Sequence, residues 1–171
     1  MNVKATLKEQ MAELHRILEA AICDCPPDAV AKKLPGAKIN SIGAIYAHTV
    51  FGEDGILNAL IRGQPPVYFA GGWADKIGIE MPRGGMEPDW SVTMDLGLFR
   101  QYAAAVYQAT DNYIASLTND ELERVVDLGF APPMPVRSAI ANVLAWHAAT
   151  HQGEISALKG VQGLEGLVMT H

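Results

Sequence analysis

The sequence has few cysteines, no long uncharged run and no excess of positive charge. Its two cysteines, Cys23 and Cys25, are one residue apart, too close for an ordinary bridge and too few for a disulfide scaffold. The longest run without Asp, Glu, Lys or Arg covers residues 138–153, whereas a membrane-spanning helix needs roughly 20 mostly apolar residues. We therefore expect reduced thiols and no membrane span, with a Cys-x-Cys metal site as the alternative use of the pair.

The charge balance is acidic. Lys and Arg number 13 against 19 Asp and Glu, for a net charge of -6. Because nucleic-acid binding depends on clustered positive charge, we expect no nucleic-acid partner. Charged side chains at Lys4, Lys8 and Glu9 interrupt the position where a secretory signal would be apolar, so the sequence predicts a cytoplasmic protein.

The length and composition are those of one globular domain. The chain has 171 residues, of which 49% are hydrophobic and 19% charged, enough to bury a core. We predict a single domain over residues 1–171, with a frayed tail over about 162–171.

Four segments repeat apolar residues at the helical period. They cover about 3–24, 42–61, 93–117 and 136–158, and each ends near Pro, Gly or a polar cap. Thr118 to Glu121 has the pattern of a capping box, which predicts a further short helical turn to about Val126. No segment shows a convincing strand pattern. The sequence therefore predicts an all-α protein built as a bundle of four helices.

Residues 64–90 separate the second and third predicted helices and show no sustained period. Five Gly and four Pro among these 27 residues predict a long irregular loop with at most short turns. Loops of this length are often lids or binding loops, and we interpret this one as a lid over a site. Its aromatic residues would supply apolar surface and its cations would meet an anionic substrate or thiol: Tyr68, Phe69, Trp73, Trp90, Lys76 and Arg83. A dimer contact or a mobile loop is the alternative.

His147 and His151 are the residues most suggestive of chemistry. Four residues separate them, so on a helix the two imidazoles lie one turn apart on the same face, here the face directed at the core. Buried imidazoles need polar partners, and one shared metal ion satisfies both; hydrogen bonds to backbone or water are the alternative. A zinc-protease motif is excluded because Ala148, not Glu, follows the first histidine.

A three-ligand site needs one more residue from a facing helix. His48, in the second predicted helix, is the preferred candidate, and His15 in the first helix competes for the role. Glu154, three residues after His151, is predicted to orient an imidazole or to take a proton near the metal. Glu53 and Asp54, just past His48, are further carboxylates available for the same task. The fifth histidine, His171, is terminal and has no predicted role.

With this pattern of histidines, the sequence resembles the DinB and YfiT-like superfamily of metal-dependent enzymes. Its closing motif of two histidines separated by three residues is matched by HAATHQGEI at residues 147–155, although the polar pair after the second histidine is inverted as Gln152 and Gly153. The upstream family ligand corresponds to His48 within IYAHTVF, residues 45–51. The layout of the whole chain agrees with this resemblance.

The resemblance implies a four-helix bundle, commonly a homodimer, which holds nickel, zinc or another divalent ion with open coordination positions. Some relatives are S-transferases or isomerases that use a low-molecular-weight thiol, and others are called hydrolases. Our first hypothesis is therefore a metal-dependent enzyme that acts on a small molecule, with thiol or water as the nucleophile. The alternative is a non-catalytic, metal-stabilised dimeric binding module.

Overall fold

The computed structural model describes residues 2–82, 84–87 and 90–166 and is mostly helical. This confirms the coarse prediction of an all-α protein. The elements in chain order are α1 (Val3–Ile22), α2 (Pro27–Ala31), α3 (Ile42–Asp54), α4 (Val67–Ala70), α5 (Ala74–Ile77), α6 (Leu96–Ser116), α7 (Asn119–Glu123), β1 (Val125–Val126), β2 (Met134–Pro135), α8 (Val136–Ala139) and α9 (Ala145–Val161).

Polar side chains set where the helices begin. Asn2, Ser41, Asp95 and Thr118 stand just before α1, α3, α6 and α7, and each side chain accepts a hydrogen bond from a backbone N–H in the first turn. Such caps satisfy donors that have no partner inside the helix. The N-cap predicted at Thr118 therefore forms and opens α7, while the Glu121 carboxylate accepts a hydrogen bond from Arg124.

Two helices continue through π-helical turns. After α3 the chain runs as a π-helix over Gly55–Ile61, and α8 joins α9 through a π-helix over Ile140–Leu144. A π-helix pairs residues five apart, so it rotates the following side chains relative to an α-helical pattern. Leu60, which the sequence period assigned to the core, is 43% exposed for this reason, whereas Leu57 and Ile61 are buried.

The four long helical segments pack side by side. α1 contacts α6 and α9, and α3 contacts α6 and α9. Within the described residues, the buried apolar side chains form two clusters, one at each end of these helices. Leu18 on α1 and Ile155 on α9 belong to one cluster, while Met11 on α1 and Leu144 belong to the other.

A polar layer lies between the two clusters. His15 on α1, Glu53 on α3 and Thr110 on α6 occupy it and are all buried. His15 Nε2 lies 3.0 Å from both carboxylate oxygens of Glu53, and the Thr110 hydroxyl donates to the same carboxylate. The polar groups satisfy one another, which makes their burial tolerable. On α9, His147 and His151 lie along the chain between the members of the two clusters.

The segment 64–90 is more ordered than the sequence predicted. It forms the single-turn helices α4 and α5, and Tyr68, Ile77 and Ile79 are buried in a core cluster. Trp73 and Trp90 are partly buried and pack against that cluster, so of the aromatic residues expected to face a substrate only Phe69 is largely exposed. The segment therefore contributes to the core as well as covering it. Arg83 lies outside the described residues.

The helical turn predicted to about Val126 ends at Glu123, and a short hairpin follows it. Val125 pairs with Pro135 and Val126 with Met134 in antiparallel β1 and β2. The prolines nearby exclude helix, and two residues per strand are too few to produce an alternating pattern. Of the predicted tail, residues 162–166 follow α9 and residues 167–171 lie outside the described part. No helix in the described residues is long and apolar enough to span a membrane.

Candidate metal centre

Three histidines from two helices meet in one group. His48 comes from α3, and His147 and His151 come from successive turns of α9. One ring nitrogen from each lies within 4.8 Å of those of the other two. The ring centroids are 4.8 Å apart for His48 and His147, 4.8 Å for His48 and His151, and 4.5 Å for His147 and His151. The packing of α3 on α9 thus assembles the group that the sequence spacing predicted in part.

The donor atoms suit a shared cation. Nε2 of His48 and Nε2 of His147 face each other at 3.0 Å. Two nitrogens bound to one ion at about 2.0–2.1 Å in tetrahedral geometry lie roughly 3.3 Å apart, so this separation is close to that of a ligand pair. Without an ion, one of the two nitrogens carries a hydrogen and donates it to the other. The three donor atoms lie up to 4.8 Å apart, so the rings would turn toward one another to share a divalent ion.

Burial keeps two of the imidazoles neutral. Loss of hydration is the main cause that lowers the pKa of His48 to about 4 and that of His147 to about 3, and the neighbouring charge of His151 lowers both further. A neutral imidazole has a free lone pair at pH 7, which is the form that binds a metal ion. All three rings are half-buried, and the side chain of His151 is 14% exposed.

Glu154 contacts the three-histidine group through the Nδ1 atom of His151. Its Oε2 lies 2.6 Å from Nδ1 of His151, and the two residues are three apart on α9. A carboxylate that accepts the Nδ1 hydrogen leaves Nε2 of the same ring as the atom free to bind a metal. The structure thus places Glu154 against His151, where it can orient that ring.

The other candidates named from the sequence lie elsewhere. His15 contacts Glu53 and stacks on Tyr107 with ring centroids 3.9 Å apart, so it is no part of the three-histidine group. Glu53 is committed to His15 and does not orient a histidine of the group. Cys23 is exposed and Cys25 is buried, both as free thiols, and neither joins a metal-type cluster within the described residues. His171 lies outside the described residues.

Asp54 has a role that the sequence did not indicate. Its fully buried carboxylate accepts hydrogen bonds from the side chain of Asn58, from the backbone N–H groups of Val67 and Tyr68, and from the Tyr102 hydroxyl, at 2.7–2.9 Å. It therefore ties the beginning of α4 to the end of α3. Three of its partners are distant along the chain, so spacing alone carried no signal of this contact.

Comparisons with known proteins agree with the helical fold. A family model described as the DinB superfamily matches residues 5–155. A conserved protein from Enterococcus faecalis has a similar crystal structure, with a TM-score of 0.75 and 21% identity over 95% of this chain and 99% of that one. A DinB-like protein from Bacillus cereus is similar with a TM-score of 0.51 and 16% identity over 94% and 91% of the two chains. The comparison with curated proteins found no match.

Proposed function

The chain belongs to the DinB superfamily, and from this premise we propose that it is a metal-dependent enzyme whose divalent ion is held by His48, His147 and His151. The observation that carries the proposal is the convergence of three ring nitrogens from α3 and α9 within 4.8 Å of one another. A shared ion would give all three half-buried imidazoles a polar partner at once.

The ligand set favours a borderline transition metal. Imidazole suits zinc, nickel, copper and iron, whereas calcium and magnesium prefer oxygen ligands. We propose nickel or zinc as the resident ion. The lowered pKa values of His48 and His147 support metal binding in general, since both rings can bind an ion without first losing a proton.

The number of ligands favours catalysis over a purely structural site. Structural zinc sites are closed by four protein ligands, whereas catalytic sites have three and leave a position open. Among the described residues, the group has three members. A metal-stabilised binding module without activity is the competing proposal, and the half-exposed position of the rings favours the enzyme.

A divalent ion in such a site supplies Lewis-acid chemistry, which makes water or a thiol a better nucleophile at neutral pH. The protein itself contributes the orientation. Glu154 contacts the Nδ1 side of His151, and the side chain of Glu154 is 38% exposed, so the carboxylate can also exchange a proton with solvent. We propose a thiol-dependent S-transferase or isomerase, with a hydrolase that uses water as the alternative.

The finer architecture is part of the same proposal. We propose that the four long helical segments form a four-helix bundle, that residues 1–171 act as one domain, and that the protein works as a homodimer on a small-molecule substrate. The contacts of α1 and α3 with both α6 and α9 support the bundle. Sedimentation analysis of the purified protein tests the dimer.

Metal analysis of the purified chain tests the ligand assignment. We expect close to one divalent ion per chain in protein prepared without a metal-affinity tag, and His48→Ala should lower the affinity for Zn²⁺ by about 100-fold or more while the circular dichroism spectrum stays helical. Thr150→Ala, an exposed position beside His151, serves as the control and should bind as the wild type does. Full stoichiometry and affinity in His48→Ala would refute the three-histidine site.

An activity assay separates the chemical alternatives. Metal-loaded protein is incubated with small thiols and a panel of electrophiles, and in parallel with a panel of hydrolysable esters and amides. Consumption of thiol that disappears in His48→Ala supports the transferase, and hydrolysis without thiol supports the alternative. Bound metal with no turnover in either panel would favour the binding module.

A further inference from the structure

Gly52 lies on α3 one turn after His48, on the same face of the helix. Its backbone is ordinary right-handed helix, and it is not among the glycines with positive φ. The conformation therefore does not require glycine. Glycine is less favourable than alanine inside a helix, so its presence here needs another physical reason.

The space beside Gly52 is occupied by one imidazole. A Cβ built on this glycine would lie 2.7 Å from Cε1 of His147, 3.4 Å from Nδ1 and 3.5 Å from Nε2. These three nearest atoms all belong to the same ring. The ring of His147 thus rests directly on the backbone of α3, at a distance that no other residue type at position 52 permits.

A methyl group at position 52 would act on the ligand more than on the fold. The imidazole is the far end of a side chain and can turn away, and a movement of about 0.7 Å restores an ordinary contact of 3.4 Å. Metal–nitrogen distances, however, are held to about 0.2 Å. A methyl group at position 52 would therefore restrict the positions in which the His147 ring can bind an ion, while the fold itself adjusts.

We propose that Gly52 is a positioning residue of the metal centre, which leaves the space that lets His147 approach His48. This inference rests on the proposed metal site, because it assigns a reason for the place of one of its ligands. Gly153 on α9 is the control glycine for the experiments below, because a Cβ built on it would meet nothing within 4 Å.

Cobalt binding tests the proposal in the full-length protein. We expect Gly52→Ala to weaken Co²⁺ binding about tenfold or more, the usual effect of disturbing a residue that supports a ligand, and to change the visible absorption of the bound ion. Gly153→Ala is the matched control and should keep both the affinity and the spectrum of the wild type. Unchanged Co²⁺ affinity and spectrum in Gly52→Ala would overturn the proposal.

Thermal unfolding of the metal-free protein tests the contact without any metal. In a His147→Ala background the ring is gone, so Gly52→Ala should raise the melting temperature by about 2 °C, as expected for alanine in a helix of a chain this size. In the wild-type background, Gly52→Ala should raise the melting temperature less or should lower it. Gly153→Ala should change the melting temperature equally in the wild-type and His147→Ala backgrounds. Equal gains from Gly52→Ala in both backgrounds would contradict the contact.

The two experiments also separate this inference from the proposed function. If wild-type protein binds neither Co²⁺ nor Zn²⁺, the proposed function fails, and the thermal comparison still decides whether Gly52 makes room for His147. If Gly52→Ala does not fold but regains its fold with His147→Ala, the steric contact is supported. Failure to fold in both backgrounds would place the clash elsewhere and overturn the inference.

Discussion

The contact between Glu154 and His151 shows how one carboxylate can act on a metal centre through a ligand. Oε2 of Glu154 lies 2.6 Å from Nδ1 of His151. A partner on the far nitrogen fixes the tautomer and the direction of the ring, and it raises the basicity of the nitrogen that binds the metal. The spacing of three on a helix predicts the face on which Glu154 lies, whereas the contact itself comes from the structure.

Glu154→Ala should weaken Zn²⁺ binding about 10- to 100-fold, because His151 loses the group that orients it. Competition with a chelator of known affinity measures the change. Glu9→Ala, which removes an exposed carboxylate on α1, is the control for the loss of one negative charge and should bind almost as the wild type. Equal affinities of the two variants would show that the Glu154 contact has no role in binding.

The stability of the metal-free protein should depend on pH through the buried imidazoles. The pKa values of His48 and His147 lie at about 4 and about 3 in the folded protein, against about 6.5 in the unfolded chain. Above pH 6.5 both states are neutral at these positions. As pH falls below 6.5 the unfolded chain takes up protons first, so the free energy of unfolding decreases toward pH 4 and below.

Denaturant unfolding between pH 8 and pH 5 checks this dependence. A double variant, His48→Gln with His147→Gln, should lose less stability over the same range than the wild type, because glutamine does not titrate. Identical pH profiles for the two proteins would mean that these imidazoles do not carry the effect.

At the level of elements, the carboxylate of Asp54 joins α3 to the segment after it. Four donors surround this fully buried group, and two of them are backbone N–H groups at the beginning of α4. The start of the segment 64–90 is therefore held by charge-assisted hydrogen bonds, which are stronger than neutral ones. The expectation that Asp54 serves the metal centre is replaced by this structural role.

Asp54→Asn should destabilise the protein by about 2–4 kcal/mol, because an amide group would face donors that need an acceptor. Denaturant unfolding measures the loss. Hydrogen exchange should be faster at Val67 or Tyr68, because their amides bond to different oxygens of Asp54 and asparagine keeps only one of the two. Asp75→Asn, an exposed change within the same segment, should leave both quantities nearly unchanged.

The π-helical turns explain a second difference between pattern and structure. Gly55–Ile61 comes after the helix of His48, and Ile140–Leu144 precedes the helix of His147. Each adds a residue to a turn and so changes the direction of the side chains relative to an α-helix, and Leu60, within the first of them, is exposed. The apolar period continues through both segments closely enough that the sequence predicts plain α-helix there.

For the whole molecule, a bound ion would join two helices that are far apart in sequence. His48 on α3 and the two histidines on α9 belong to neighbouring helices of the fold. An ion that binds only the folded chain adds about 2.7 kcal/mol of stability when its free concentration is 100 times its dissociation constant. Removal of the ion should therefore be visible as a loss of overall stability.

Saturation with Zn²⁺ should raise the melting temperature by about 5–10 °C relative to chelator-treated protein. Differential scanning calorimetry at several ion concentrations measures the shift. The variant His147→Ala with His151→Ala should melt at one temperature with and without Zn²⁺. A shift of the same size in this variant would assign the stabilisation to another site.

The helical class, the starts of α1, α3 and α7, and the shared helix face of His147 and His151 follow from the sequence, whereas α6 begins three residues after the predicted start. These features depend on residues close in sequence: apolar period, capping side chains and a spacing of one helical turn. The preference for His48 over His15 rested on the facing position of its helix and on the family resemblance. The family match over residues 5–155 confirms the resemblance.

The side chains that meet are set by the packing of the helices. In the fold, His15 contacts Glu53, Asp54 contacts the start of α4, and the ring of His147 lies against Gly52. Each of these contacts joins residues on different elements, and its existence depends on how the elements are rotated and spaced against one another. Local spacing defines the face of a helix, whereas the packing of the core defines what that face touches.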